Sequence, residues 1–246
     1  MKIIISPAKK MIVDNDSLVY RDLPKYIEKA ERLKNTLREF KYDDLKNLLS
    51  CNDKIAELNY LRYRDMDLER NLTPAILAYE GIQYQYMSPR VFTYDEYEYI
   101  ENNLRILSGF YGILKPFDGV VSYRLEMQAK LKTDYCTNMY NYWQDDIYKD
   151  LIEDNDVILN LASKEYSKAV EKYLTEDTKF ITCTFGTLVK DKVKVKATEA
   201  KMARGEMVRY MAVNNIENIQ DIKKFNGLEF KYNEELSTED NYVFIK

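Results

Sequence analysis

No histidine occurs anywhere in the 246 residues. That absence removes Ser-His-Asp and Cys-His nucleophile chemistry, and with them every metal site that needs an imidazole ligand. General acid or base work would fall to Asp, Glu, Lys or Tyr. Cysteine is scarce: Cys51, Cys136 and Cys183 stand far apart, odd in number and without a CxxC pair. They argue against a disulfide framework and read as small buried apolar side chains. A zinc or iron site built from three scattered thiols and carboxylates is the weakest reading, so no metal and no cofactor is assigned. Only seven glycines and five prolines punctuate the chain. With no repeat, low-complexity tract or flexible linker, residues 1–246 read as a single domain. No apolar run approaches the roughly 20 residues that cross a bilayer. Ile3-Ile4-Ile5, closed by Ser6-Pro7, is too short for a signal peptide and reads as a buried strand. No membrane partner and a cytoplasmic location are expected.

What is present suits a soluble chain with a sizeable core: 46% hydrophobic residues, 32% charged, and a net charge of −4. An acidic total argues against polyanion binding by the whole surface, but the charge is uneven. Residues 189–209 hold seven basic residues against three acidic ones, whereas residues 142–157 hold six acidic residues against Lys149 alone. Such segregation focuses a positive field on one face.

Periodicity predicts helices over residues 24–40, 43–50, 53–63, 93–107, 138–153, 165–174 and 198–213. The helix from 93 opens on Thr93 and Glu96, a capping-box pair, ahead of the apolar stripe Tyr97, Ile100, Leu104 and Leu107. Strands are predicted at 2–5, 74–81, 123–127, 157–162, 228–232 and 242–245, with a hairpin across 179–195. Helices and strands interleave without a βαβ rhythm. The fold class is therefore α+β, a mixed β-sheet surrounded by helices.

Five segments then align with a known pattern. They are Ile5-Ser6-Pro7-Ala8-Lys9, the run from Leu107 to Pro116, Tyr123-Arg124-Leu125-Glu126-Met127, Asn160-Leu161-Ala162-Ser163 leading to Glu165-Tyr166, and Lys201-Met202-Ala203-Arg204-Gly205. In order and spacing the chain resembles the YaaA family of peroxide-stress resistance proteins over nearly its whole length. Lys10 stands where that family usually has threonine, Gln128 where glycine is common, and Glu206 where an apolar residue is typical. The resemblance implies a cytoplasmic protein that protects against peroxide damage, limits free iron and binds DNA. It also implies a family-specific fold with a helix-hairpin-helix element.

Read by themselves, the same segments nominate anion contacts. Gly109 and Gly112 would let backbone N–H groups approach a phosphate if residues 107–114 formed the hairpin of such an element, with Arg105 and Lys115 as flanking counter-charges. The alternative is an ordinary helix stop and turn. Lys201 and Arg204, three apart on one helix face near its N-terminus, make an anion site or a solvated face. Gly205, costing about 1 kcal/mol inside a helix, signals a close backbone approach. Lys9 and Lys10 follow the first strand, where loops build sites in mixed sheets. Arg124 and Glu126 point to one side of an extended segment, and Glu165 is a second candidate pocket carboxylate. No catalytic motif is recognisable. Two functions remain open. One is binding of DNA, as duplex and without sequence reading, through a local basic cleft. The other is an enzyme acting on a nucleotide or other phosphate-bearing small molecule in that cleft.

Overall fold

The computed structural model describes residues 1–246. Its frame is an eight-stranded sheet whose central strands are buried on both faces. In chain order the strands are β1 (Lys2–Ile5), β2 (Lys10–Met11), β3 (Thr73–Pro74), β4 (Tyr79–Glu80), β5 (Leu104–Ser108), β6 (Gly112–Leu114), β7 (Gly119–Val120), β8 (Val157–Leu161), β9 (Lys179–Val189), β10 (Lys192–Lys194), β11 (Lys231–Tyr232) and β12 (Asn241–Ile245). The main sheet runs β11-β12-β9-β8-β1-β5-β6, with β10 hairpinned onto β9. Strands β5, β1, β8, β9 and β12 are mutually parallel, while β6, β10 and β11 close the edges in antiparallel fashion. Two small ladders, β2–β4 and β3–β7, lie outside it.

The helices are α1 (Ile27–Arg38), α2 (Tyr42–Leu49), α3 (Asp53–Asp65), α4 (Ala75–Ala78), α5 (Ile82–Met87), α6 (Tyr94–Asn103), α7 (Met139–Trp143), α8 (Asp146–Ile152), α9 (Lys164–Glu171) and α10 (Ala197–Val213). One contiguous core runs from Ile3 to Phe244 and takes side chains from nearly every element, so the chain is a single α+β domain. No helix is long and apolar enough to cross a membrane. Cys136 and Cys183 are buried and all three cysteines are free.

Most predicted elements are present, with these departures. The 74–81 segment is not a strand: Ala75–Ala78 forms one buried helical turn between two bridges. A short apolar run buried on all sides has no periodicity that separates the two forms. The capping box at Thr93 and Glu96 is present, yet the helix stops at Asn103 because Leu104, Arg105 and Ile106 pair with Ile3, Ile4 and Ile5. Tertiary pairing here overrides a helical stripe. The 138–153 helix is broken at Gln144, which takes a φ of 46°. Residues 123–127 form no strand, with Met127 already in a turn, and the strand expected at 228–232 is confined to Lys231–Tyr232.

A larger correction concerns residues 107–114. They are not part of a helix-hairpin-helix element; β5 and β6 form a β-hairpin, with Ile106 opposite Leu114 and Ser108 opposite Gly112. Gly109 and Gly112 are buried inside it. A Cβ on Gly109 would meet the Leu125 carbonyl oxygen at 2.3 Å, and the Gly109 carbonyl accepts the Trp143 indole N–H at 2.9 Å. Gly112 adopts a φ of +77° against the Trp143 ring. Both glycines serve protein packing and leave no space for a phosphate. The chain does contain a helical hairpin elsewhere: α2 and α3 are joined by Ser50, Cys51 and Asn52. Ser50 is left-handed, and Asn52 caps α3 by accepting the Ile55 N–H.

Candidate anion-binding cleft

The parallel strands decide where a site can form. From β1 the chain passes to β5 on one side and later returns to β8 on the other, so β1 and β8 straddle the point where the strand order reverses. Crevices at the carboxyl ends of such strands are the usual ligand sites of open sheets. Ser6 follows β1, and Ser163 lies two residues beyond β8. The two are tied together: the Ser6 hydroxyl accepts the Ser163 N–H at 2.8 Å and donates to its hydroxyl at 3.2 Å. The Tyr84 hydroxyl donates to the Ser6 carbonyl at 3.1 Å.

Above this floor opens a cleft of about 420 Å³, walled by Lys9, Lys10, Arg124, Glu126, Glu165, Lys201 and Arg204. The five motifs of the sequence contribute unequally. Four of them supply the floor and walls, whereas the β5–β6 hairpin does not line the cleft. Arg124 and Glu126 do share a side, as expected, and pair at 3.2 Å; Lys9 reaches the same Glu126 oxygen at 2.8 Å. The segment carrying them is held from behind. Tyr63 donates to the Arg124 carbonyl at 2.8 Å, and the Tyr123 hydroxyl lies 2.7 Å from that of Tyr79 and 2.6 Å from that of Ser108. Glu165 accepts the Gln128 N–H at 3.3 Å; burial raises its carboxyl above the usual range, and the charge of Glu126 adds to the shift.

Lys201 and Arg204 project from the second and third turns of α10 rather than from its first. The cleft therefore receives their side chains and not the N-terminal dipole of that helix. Gly205 makes the close approach that its sequence position signals, but to protein: a Cβ there would stand 2.1 Å from the Gln83 carbonyl oxygen of α5. That contact brings Arg204 against the α5 wall. Lys10 pairs with Glu80 at 2.6 Å, whereas Lys201 and Arg204 form no ion pair. Burial lowers the Arg204 pKa, and the nearby Cys183 thiol is itself pushed well up by burial.

Arg105 and Lys115 lie elsewhere, at the amino ends of the strands, around a separate pocket with Lys2, Asp118 and Asp150. Arg105 is 7% exposed and donates only to the carbonyls of Glu101 and Leu104. Asp118 accepts the Lys115 N–H at 2.9 Å, and burial pushes its carboxyl up to about 7.

Lys9 and Glu126 also form the border of a wider groove of about 880 Å³, lined by Lys41, Asn47 and Ser50 of the α2 hairpin and by Lys130 and Lys132. Sequence reading passed over these residues. Lys130-Leu131-Lys132 carries no motif, and only the fold sets it opposite α2. Cleft and groove together carry eight Lys and Arg against five Asp and Glu, a positive surface on a chain of net charge −4. No group of three or more Cys, Asp or Glu side chains is arranged to hold a metal ion.

Comparison with known proteins agrees with the motif order. The family description "Peroxide stress protein YaaA" matches residues 1–236. A UPF0246 protein of Desulfitobacterium hafniense is 59% identical over 246 residues, covering 100% of this chain and 98% of the relative. One from Agathobacter rectalis is 54% identical over 244 residues, covering 99% and 98%, and one from Pediococcus pentosaceus is 52% identical over 246, covering 100% and 98%. With a family match over almost its full length, this chain belongs to the YaaA family of peroxide stress proteins.

Proposed function

We propose that this protein binds duplex DNA in the cytoplasm through the continuous basic groove, without reading sequence, and so limits peroxide and iron damage to the DNA it covers. The observation that carries this reading is the joining of cleft and groove at Lys9 and Glu126 into one surface with an excess of basic side chains. Phosphate contacts of this kind position a protein on DNA and carry no sequence information. The α2–α3 hairpin supports the reading, because its exposed turn at Ser50 presents backbone to the groove.

The test is fluorescence anisotropy of a labelled blunt duplex with 5′-hydroxyl ends, titrated at low and moderate salt with the parent chain and a Lys130→Ala/Lys132→Ala variant. Each phosphate contact releases about 0.9 counterion, so the parent should lose affinity steeply with salt. The double variant should bind more weakly and show a salt slope shallower by roughly 2. Absence of low-salt binding by the folded protein would rule the reading out.

A further inference from the structure

The inner cleft differs from the outer groove in a way that simple backbone binding does not require. Arg204 is half-buried, yet it makes no hydrogen bond and no ion pair, and its Nε is sealed from solvent without an acceptor. The Nε of Arg124 is equally orphaned, and the carboxylate beside it, Glu126, is shared with Lys9. A guanidinium donor sealed from water without an acceptor is costly, and a ligand that supplies the acceptor removes that cost. The cleft walls hold five cations against three carboxylates, which leaves two positive charges.

We propose that the inner cleft is a phosphomonoester pocket. A terminal phosphate sits over Ser6 and Ser163, with Arg204 and Arg124 as its counter-charges, and a hydroxyl-bearing body of nucleotide size lies toward Lys9 and Glu126. Four observations combine. The floor is the carboxyl end of two adjacent parallel strands at the order reversal. The eight-residue helix α9 starts there, and its N-cap, Ser163, spends its own N–H on Ser6 and gives no side-chain cap. The N–H groups of Lys164 and Glu165 in its first turn, which like those of any helix lack intrahelical acceptors, form the positive end of the helix dipole there. The two surplus charges match a phosphomonoester, which carries about −1.5 to −2 at neutral pH, whereas a diester link carries one. The volume of about 420 Å³ falls among small-ligand sites, and Glu80 and Glu165 on the walls offer acceptors to sugar hydroxyls. The second surplus charge favours a terminal phosphate over a diester link. Two sources supply that chemistry, a free phosphorylated metabolite and the 5′-phosphate of a DNA end. The pocket stands whether or not the outer groove takes duplex DNA.

Isothermal titration calorimetry of the full chain against adenosine 5′-monophosphate, ribose 5-phosphate and adenosine tests the pocket. A 5′-phosphorylated single-stranded octanucleotide and its 5′-hydroxyl counterpart separate the two sources. We expect saturable binding of at least one phosphomonoester, with its unphosphorylated partner weaker by at least roughly tenfold. Arg204→Met should weaken phosphomonoester binding roughly 10- to 100-fold, while its ligand-free melting temperature stays equal to the parent's or rises, because the unpaired charge is gone. Lys201→Ala, on the exposed wall, should weaken binding severalfold with the melting temperature unchanged, which keeps the test open if the Met variant folds poorly. Preference for the free monophosphates assigns a metabolite site, and preference confined to the octanucleotide pair assigns a DNA end. The proposal is overturned if neither monophosphate nor phosphorylated octanucleotide binds at millimolar concentration. It is overturned equally if Arg204→Met melts lower yet binds as tightly as the parent. Blunt-duplex binding and its loss in Lys130→Ala/Lys132→Ala are read separately, so either reading can fail alone.

Discussion

Replacing Gly205 by alanine probes the contact that holds Arg204 against the cleft wall. The added Cβ would lie 2.1 Å from the carbonyl oxygen of Gln83 and 3.0 Å from the amide nitrogen of Met87. Both are backbone atoms of α5, so no rotamer change relieves the overlap, and the two helices must separate by about 1 Å to regain ordinary contact. Overpacking of this kind costs about 1–3 kcal/mol, here toward the upper end because only backbone can move. Alanine returns about 1 kcal/mol of helix propensity, leaving a net loss of roughly 2 kcal/mol. In a domain of this size about 1 kcal/mol shifts the melting temperature by 2–4 °C, so calorimetry should show a drop of roughly 4–8 °C. Lys201→Ala on the exposed face of the same helix is the control and should stay within about 0.5 kcal/mol of the parent. Because α5 begins next to Gly81 and carries Tyr84, the displacement also widens the cleft, and anion affinity should fall in parallel. An unchanged or raised melting temperature for Gly205→Ala would refute the close packing of α5 on α10.

Two further outcomes follow from the charges. Asp118 is 4% exposed and its carboxyl, ordinarily near 3.8, is pushed by burial to about 7. Between those values the folded chain keeps a proton that the unfolded chain has lost, so stability falls as pH rises through the window, by up to roughly 1.4 kcal/mol per pH unit. Asp118→Asn keeps the acceptor for the Lys115 N–H without the titration. Its melting temperature relative to the parent should be close to level near pH 4 and increasingly higher toward pH 8, and a difference constant with pH would contradict the burial argument. Glu126→Gln keeps the shape of the residue that both Lys9 and Arg124 contact but releases two cations into the groove. Duplex affinity by anisotropy should tighten severalfold at low salt, and weaker binding would show that Glu126 matters for positioning rather than for charge.

The outline of the fold was legible because local chemistry and tertiary structure agreed there. Ile3-Ile4-Ile5, the apolar run from Val157 and the Thr93–Glu96 cap each specify one answer without help from distant residues. Four of the five motifs that mark the family also proved to line or floor the cleft, since loops at strand ends and a basic helix face announce themselves by residue type. The fifth misled. Gly109 and Gly112 read as a phosphate turn or an ordinary helix stop, but the same two glycines answer to the Leu125 backbone and the Trp143 ring, neighbours that lie far from the hairpin along the chain or arrive from another element. The helix predicted to reach Leu107 ended early for the same reason, because β1 offers hydrogen bonds that only the assembled sheet can supply.

The sequence alone determined which residues could carry positive charge, which must be buried, and that neither imidazole nor disulfide chemistry was available. Tertiary structure alone decided that Arg204 stands unpaired, that Arg105 and Lys115 belong to the far end of the strands, and that Lys130 and Lys132 extend the cleft into a groove. The physical reason is that burial and partnership are properties of position. A guanidinium has the same five donors in any chain, and whether they meet a carboxylate, a carbonyl or an empty cleft depends on neighbours brought close by folding.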